Sequence, residues 1–321
     1  MVKNIAVLTT GGDAPGMNAV IRAVVRTATY NHLRVFGVKR GFRGLIDGDI
    51  VEMDLVSVSG IINRGGTILK TIRCPEFKNE RSQKKAVFHL NGLEIDALIV
   101  IGGNGSLAAS GVLYYKWGIP VINIPASIDN DLCFTDYTVG FDTAVNTALD
   151  AIDKIRDTAT SHDRVFVVEV MGKDNGFIAL EVALGCGAEA VIIPEIKTDM
   201  NKLCKNLVKG EKRVKKSSII IVAEGAAKGQ NIAEIITEQC CMEVRVSVLG
   251  YMQRGGAPTA FSRALAARMG KAAVDLLLAG KFGKMIGNRG TDIIATDIKK
   301  VLACKKKIDV SDYKLVSILS I

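Results

Sequence analysis

The chain has 321 residues, a formal net charge of +9, 23% charged residues and 48% hydrophobic ones. That length exceeds the reach of one ordinary core, so two domains are expected, and the composition excludes a generally disordered chain. The basic balance points to anionic partners. Without interleaved aromatics or a reading motif, it favours phosphorylated small molecules over nucleic acid.

In chain order, the N-terminal MVKNIAVLTT enters a strand directly, with no cleavable signal ahead of it. Ile5–Leu8 is followed by Gly11-Gly12-Asp13 and, after Pro15-Gly16, by a helical pattern over Asn18–Thr29. Small residues between strand and helix let backbone N–H groups approach an anion, although the same run also makes a plain tight turn. The next apolar run, Ala97–Ile101, opens an uncharged stretch reaching Tyr115. Gly102, Gly103, Gly105 and Gly111 interrupt it, so it reads as strand, loop and helix rather than as a membrane span. Gly103 to Ala108 fits G-x-G-x-x-A, but the acidic residue expected about 20 positions later in a dinucleotide fold is missing. A phosphate cradle remains.

The buried-looking Val121–Ile124 leads to Ser127-Ile128-Asp129-Asn130-Asp131. Two carboxylates at i, i+2 repel unless a cation, an arginine or a substrate hydroxyl lies between them; an Asx-rich turn is the bland alternative. One Asp of such a pair can accept a proton from an attacking hydroxyl. A helix is predicted over Thr143–Asp157. Val165–Val170 then leads into Met171-Gly172, and Ile219–Ala223 into Glu224-Gly225. Between them, Lys197 to Lys216 holds eight basic and two acidic residues. Ser262–Leu278 is an Ala/Leu-rich helix that stops at Gly280. Apolar runs without alternation indicate parallel strands covered by helices on both faces, hence an α/β fold with ligands beyond the carboxyl ends of the strands. Arg73, Arg164, Arg245 and Arg254 sit at strand ends or in turns, where converging arginines clamp phosphates. Seven cysteines, an odd number without a C-x-x-C pair, suit reduced thiols rather than a disulfide framework. A soluble, cytoplasmic protein is expected.

Taken together, Leu8 to Asn18 (LTTGGDAPGMN), Ile62 to Thr67 (INRGGT), Arg73 to Phe77 (RCPEF), Ile128 to Asp131 (IDND) and Thr135 to Tyr137 (TDY) resemble the bacterial ATP-dependent 6-phosphofructokinase family. Asp157 to His162 (DTATSH), Val168 to Gly172 (VEVMG) and Val248 to Gly256 (VLGYMQRGG) extend the resemblance along the chain. It implies two doubly wound, mainly parallel α/β domains: 1–138 plus 251–304 for ATP and magnesium, 139–250 plus 305–321 for sugar phosphate and effector. It further implies a homotetramer that phosphorylates fructose 6-phosphate at the 1-hydroxyl, giving fructose 1,6-bisphosphate in glycolysis. Asp129 would be the base, flanked by Ser127 and Asp131. Gly12, Arg73, Cys74 and Gly103-Asn104-Gly105-Ser106 would meet ATP, and Gly12 and Arg73 would also assist transfer. Met171, Gly172, Lys173, Glu224, Tyr251 and Arg254 would hold the sugar phosphate, with Arg164 and Arg245 reaching in from a neighbouring subunit. An effector site for ADP or phosphoenolpyruvate would use Arg22, Arg26, Arg156, Gly187, Glu189, Arg213, Lys215, Lys216 and Ser217. Magnesium would be served by Asn104 and Asp131. The small Gly105 and Ala126 stand where pyrophosphate-using relatives carry an acidic residue and a lysine, which favours ATP as donor.

The sequence departs from that family's pattern at Asn104, where an Asp is usual, and at Lys173, Tyr251 and Ser127, which replace Arg, His and Thr. These changes open a second expectation, a catalytically weakened paralogue acting as a regulatory subunit.

Overall fold

A computed structural model describes residues 2–162, 164–211 and 218–320. In chain order its elements begin β1 (Asn4–Thr10), α1 (Met17–Tyr30), β2 (Arg34–Val38), α2 (Phe42–Asp47), β3 (Ile50–Met53), α3 (Glu80–Gly92), β4 (Ala97–Gly102), α4 (Asn104–Trp117), β5 (Val121–Ser127) and β6 (Val139–Gly140). They continue α5 (Phe141–His162), β7 (Val165–Val170), α6 (Phe177–Cys186), β8 (Ala190–Ile192), α7 (Met200–Glu211), β9 (Ser218–Ala223), α8 (Gly229–Cys240) and β10 (Val244–Val248). The last are α9 (Ala260–Leu278), β11 (Lys284–Arg289), β12 (Asp292–Asp297), α10 (Ile298–Leu302) and α11 (Val310–Leu319). The chain divides into two compact units, Met1–Thr143 with Arg254–Lys306, and Ala144–Gln253 with Lys307–Ile321.

In the first unit the sheet order is β12-β11-β5-β4-β1-β2-β3, with β6 pairing β5. Its central strands run parallel, and the antiparallel β3 and β12 close the edges. The wholly buried β1 and β4 explain their unalternating apolar sequences: both faces are covered. Helix α1 buries Val20, Ile21, Val24, Val25 and Ala28 and packs on α9. The two helices meet at a small residue, because a Cβ on Gly270 would lie 2.6 Å from that of Ala23. Helix α9 starts where the Thr259 side chain accepts from Ser262 N–H, an N-cap that a Ser/Thr predicts.

The second unit has one four-stranded parallel sheet, β10-β7-β9-β8. Its core joins Val165, Val167, Ile220 and Val222 to Leu203 and Leu207 of α7 and Ile232 and Ile236 of α8. Helix α6 ends at Gly187 in the left-handed region (φ 62°), where glycine has no Cβ penalty. The parallel α/β class expected from the apolar runs, and the doubly wound form that the resemblance implies, are what form. No helix among the described residues is long and apolar enough to cross a membrane, and Ala97–Tyr115 is β4 followed by α4.

The expectation of unpaired cysteines is overturned. Cys133 and Cys304 form a disulfide across 171 residues within the first unit, while Cys74, Cys186, Cys204, Cys240 and Cys241 take no part in a disulfide. Spacing arguments see only near pairs. This one is made by packing, with Cys133 buried beside Leu107, Met285, Ile298 and Val301, and α10 delivering Cys304.

Candidate active site

Three adjacent parallel strands, β5, β4 and β1, end at one edge, with Thr10 level with Gly102 and Gly102 level with Pro125. Three loops therefore emerge together: Gly11–Gly16, Gly103 with the start of α4, and Ser127–Thr138. Their approach is close enough to demand glycine. A Cβ on Gly102 would sit 2.3 Å from Ser106 Oγ and 2.5 Å from the Thr10 carbonyl, and one on Gly103 would touch Ser127 Cβ at 3.6 Å. The Ser106 hydroxyl donates to the Thr10 carbonyl (3.1 Å) and so ties α4 to β1.

The start of α4 presents a helix N-terminus beside these loops. First-turn N–H groups lack intrahelical acceptors, and the helix dipole favours negative charge there. Asn104 and Gly105 are exposed at that end, and open space surrounds the position of a Gly105 Cβ. On the β1 side, Arg254 Nη1 donates to the Asp13 carbonyl (3.2 Å), and a Cβ on Gly12 would meet the same Nη1 at 2.6 Å. Arg254, expected with the sugar-phosphate group, thus lies in the first unit against Gly12 and Asp13. Thr71 donates to the Gly11 carbonyl (2.9 Å), which brings the exposed Arg73 and half-buried Cys74 alongside. Burial and the neighbouring Glu76 push the Cys74 thiol up from its ordinary value.

The Ser127–Thr138 loop is held by its own polar groups. Asp129 N–H donates to Ser127 Oγ (3.2 Å), and Thr138 Oγ1 donates to the Ser127 carbonyl (2.5 Å). Asn130 stands in the left-handed region (φ 51°), a conformation an Asn tolerates, and spans the loop. Its amide donates to the Asp136 carbonyl, and its Oδ1 accepts from Thr138 N–H, both at 2.9 Å. Asn288 Oδ1 accepts from Tyr137 N–H and Thr135 Oγ1. Lys306 donates to the carbonyls of Thr135 (2.9 Å) and Asp136 (3.0 Å). Burial pushes the Lys306 ammonium down to about 8, against the opposing pull of Asp136 and Asp131. Asn288 and Lys306 escaped the sequence reading because they reach the loop from 150 or more residues away. No local pattern marks them.

In the second unit, Glu224 follows β9 and its Oε1 accepts from Gly172 N–H (3.1 Å) and Lys173 N–H (2.7 Å), which fixes the turn after β7. Gln253 Oε1 takes Met171 N–H at 2.8 Å. Lys173 sits at φ 56°, with its ammonium 3.6 Å from Asp174. Tyr251 is exposed. Arg164 and Arg245 meet elsewhere: both pair with Glu243, Arg164 at 3.0 Å. They lie at the starts of β7 and β10, whereas Met171–Lys173 lies past the end of β7, about 16–24 Å along the strand. Sequence reasoning missed Glu243, the carboxylate that joins the two arginines.

Of the expected effector residues, Arg22 and Arg26 are one turn apart on α1. Arg156 donates to the carbonyl of Cys186, beside Gly187, and Glu189 accepts from Ile219 N–H. Burial raises the Cys186 thiol there to about 11. Arg213, Lys215, Lys216 and Ser217 lie outside the described residues.

A doubly wound α/β chain that carries a glycine-rich helix N-terminus and a carboxylate loop on neighbouring strand ends has the layout in which such folds take phosphorylated ligands. The phosphofructokinase family profile matches residues 4–277. An ATP-dependent 6-phosphofructokinase of Brevibacillus brevis is 52% identical over 320 residues, covering 100% of both chains. One from Halalkalibacterium halodurans is 51% identical, again over 100% of both. The solved phosphofructokinase of Saccharomyces cerevisiae superposes with a TM-score of 0.91 at 32% identity over 94% of this chain, which spans 45% of that longer one. The chain belongs to the phosphofructokinase family.

Proposed function

We propose that this glycolytic kinase transfers the γ-phosphoryl group of ATP to the 1-hydroxyl of fructose 6-phosphate, giving fructose 1,6-bisphosphate. The observation that carries the reading is the meeting of the β1, β4 and β5 ends, which sets the α4 N-terminus one strand from Asp129. Phosphoryl transfer needs little covalent help; it needs alignment, a proton acceptor and positive charge on the transferring oxygens. In this reading Gly12 and Gly103–Gly105 leave room and N–H donors for the phosphates, the Ser106 N–H being taken by the Gly103 carbonyl at 3.0 Å, and Arg73 and Cys74 border the nucleotide. Asp129 accepts the hydroxyl proton, and Ser127 steadies it by accepting the Asp129 backbone N–H on its Oγ. The open space at Gly105 suits a nucleotide donor over pyrophosphate.

Among the described residues no three His, Cys, Asp or Glu side chains gather into a metal cage. That suits magnesium carried largely by phosphate oxygens and water, with Asp131 and the Asn104 amide hydrogen-bonding its water shell. When bound, the ion would neutralise charge on the transferring oxygens.

The first unit would take ATP, and the second the sugar phosphate on Met171–Lys173 and Glu224, with Tyr251 at its rim. Arg164 and Arg245 share Glu243 at the far end of their sheet from that turn, so service to a sugar phosphate fits a neighbouring copy better than their own chain. A cytoplasmic homotetramer with ADP or phosphoenolpyruvate as effector follows from the same reading, the expected effector residues being Arg22 and Arg26 in the first unit and Arg156, Gly187 and Glu189 in the second. Asn104 supplies no charge to a hard cation and is the specific ground for the second reading, a weakened regulatory paralogue.

Steady-state product formation with magnesium, fructose 6-phosphate and either ATP or pyrophosphate decides between them. Turnover with ATP at about 1–100 per second, and none with pyrophosphate, is expected. Retained ATP binding without product would establish the paralogue instead.

A further inference from the structure

Cys133 and Cys304 belong to no part of the phosphoryl-transfer machinery, yet their bond lies against it. Cys133 follows Asp129 by four residues on the same loop and is buried, whereas Cys304 is exposed at the end of α10. Two residues beyond Cys304, Lys306 donates to the carbonyls of Thr135 and Asp136. Segment 304–306 therefore grips the loop twice, once covalently at 133 and once through the ammonium at 135–136. The remaining five cysteines are not disulfide-bonded, so the pairing is selective. Disulfides in reducing compartments are usually transient, catalytic or redox-sensing rather than scaffolding.

We propose that the Cys133–Cys304 pair is a redox modification site that sets the order of the Asp129 loop and thereby the rate of phosphoryl transfer; the rate effect rests on the function proposed above. The co-reactant is a dithiol. Its thiolate attacks the sulfur of exposed Cys304, and the S–S electron pair leaves on Cys133, which takes up a proton. The dithiol's second thiolate then displaces Cys304, which is protonated in turn. One protein disulfide is reduced, one dithiol becomes a cyclic disulfide, and two electrons pass. Reduction removes the covalent grip and leaves Lys306, the Asn288 bonds to Thr135 and Tyr137, and the loop's internal bonds.

The test uses the full chain, purified without reductant and then treated with dithiothreitol. Alkylation under denaturing conditions with intact mass counts the thiols, hydrogen exchange follows residues 128–136, and kcat is measured in both states for wild type, Cys304→Ser and, as a control, Cys241→Ser. Five thiols rising to seven are expected, with faster exchange in the loop. A fall in kcat of about three- to tenfold is expected at a nearly constant KM for ATP, the size a small misalignment produces. Cys304→Ser should match the reduced enzyme and ignore the dithiol, while Cys241→Ser should behave as wild type. Seven thiols before reduction, or a formed disulfide whose reduction leaves both loop exchange and kcat unchanged, would overturn the proposal. If neither state transfers phosphate, the functional reading fails separately. Thiol count and loop exchange then still judge the tether: five thiols with reduction-dependent exchange support it, and anything else rejects it.

Discussion

Asn104 stands where the family resemblance leads one to expect an Asp. It is exposed at the first turn of α4, where a carboxylate would add a full negative charge facing a phosphate-bound cation. Asn104→Asp is expected to raise kcat or lower the magnesium requirement by about ten- to a hundredfold, one decade per ~1.4 kcal/mol, with sugar-phosphate KM nearly unchanged. A magnesium titration of both variants, with intact mass to exclude spontaneous conversion at Asn104-Gly105, checks it. Lys306 makes a prediction of stability. Its folded value of about 8 lies below the ordinary 10.5, so between those pH values the unfolded chain holds more protons and wild-type stability rises with pH. Lys306→Met should lose that rise, leaving a difference that grows by about 2–3 kcal/mol from pH 8 to 10.5 in denaturant titrations. The two residues were unequally legible. Residue 104 sits in a motif read directly after a strand. Lys306 acts through a fold contact 171 residues long, which no local pattern encodes.

At the scale of elements, the site depends on turns whose backbones almost touch. Gly225 follows Glu224, and a Cβ there would lie 2.1 Å from the Lys173 carbonyl oxygen, a backbone atom that cannot swing aside. Gly225→Ala is therefore expected to push the Met171–Lys173 turn off Glu224, raising the KM for fructose 6-phosphate about tenfold or more and costing about 1–3 kcal/mol of stability. Kinetics and thermal melts report the two effects, and ATP affinity should stay within about twofold because its cradle lies on other strands. The parallel strands that carry these turns were legible because burial on both faces leaves an uninterrupted apolar run, as in β1 and β4. The edge pair β11–β12 was not. Lys284, Asn288, Arg289, Asp292 and Asp297 interrupt its pattern, although Asn288 is turned inward to hold the Thr135–Tyr137 turn. Helix bounds shifted modestly: the helix expected over Thr143–Asp157 runs Phe141–His162. Its ends carry few apolar residues and so gave a weak periodic signal.

For the whole molecule, fold class and the placement of chemistry at strand ends follow from apolar runs that stop at glycine-rich turns. The disulfide and the gathering of Arg164 and Arg245 on Glu243 follow only from tertiary packing. The central claim is that the carboxylate loop beside the anion cradle removes the proton of the attacking hydroxyl. Asp129→Asn keeps size and leaves the Asp129 backbone N–H to Ser127 in place, and it removes the carboxylate as proton acceptor. The most direct test is the turnover of this variant with ATP, magnesium and fructose 6-phosphate, measured beside its ATP dissociation constant. The account predicts a loss in kcat of about a hundred- to ten-thousandfold with ATP affinity within about threefold of wild type. Turnover within a few-fold of wild type would contradict it.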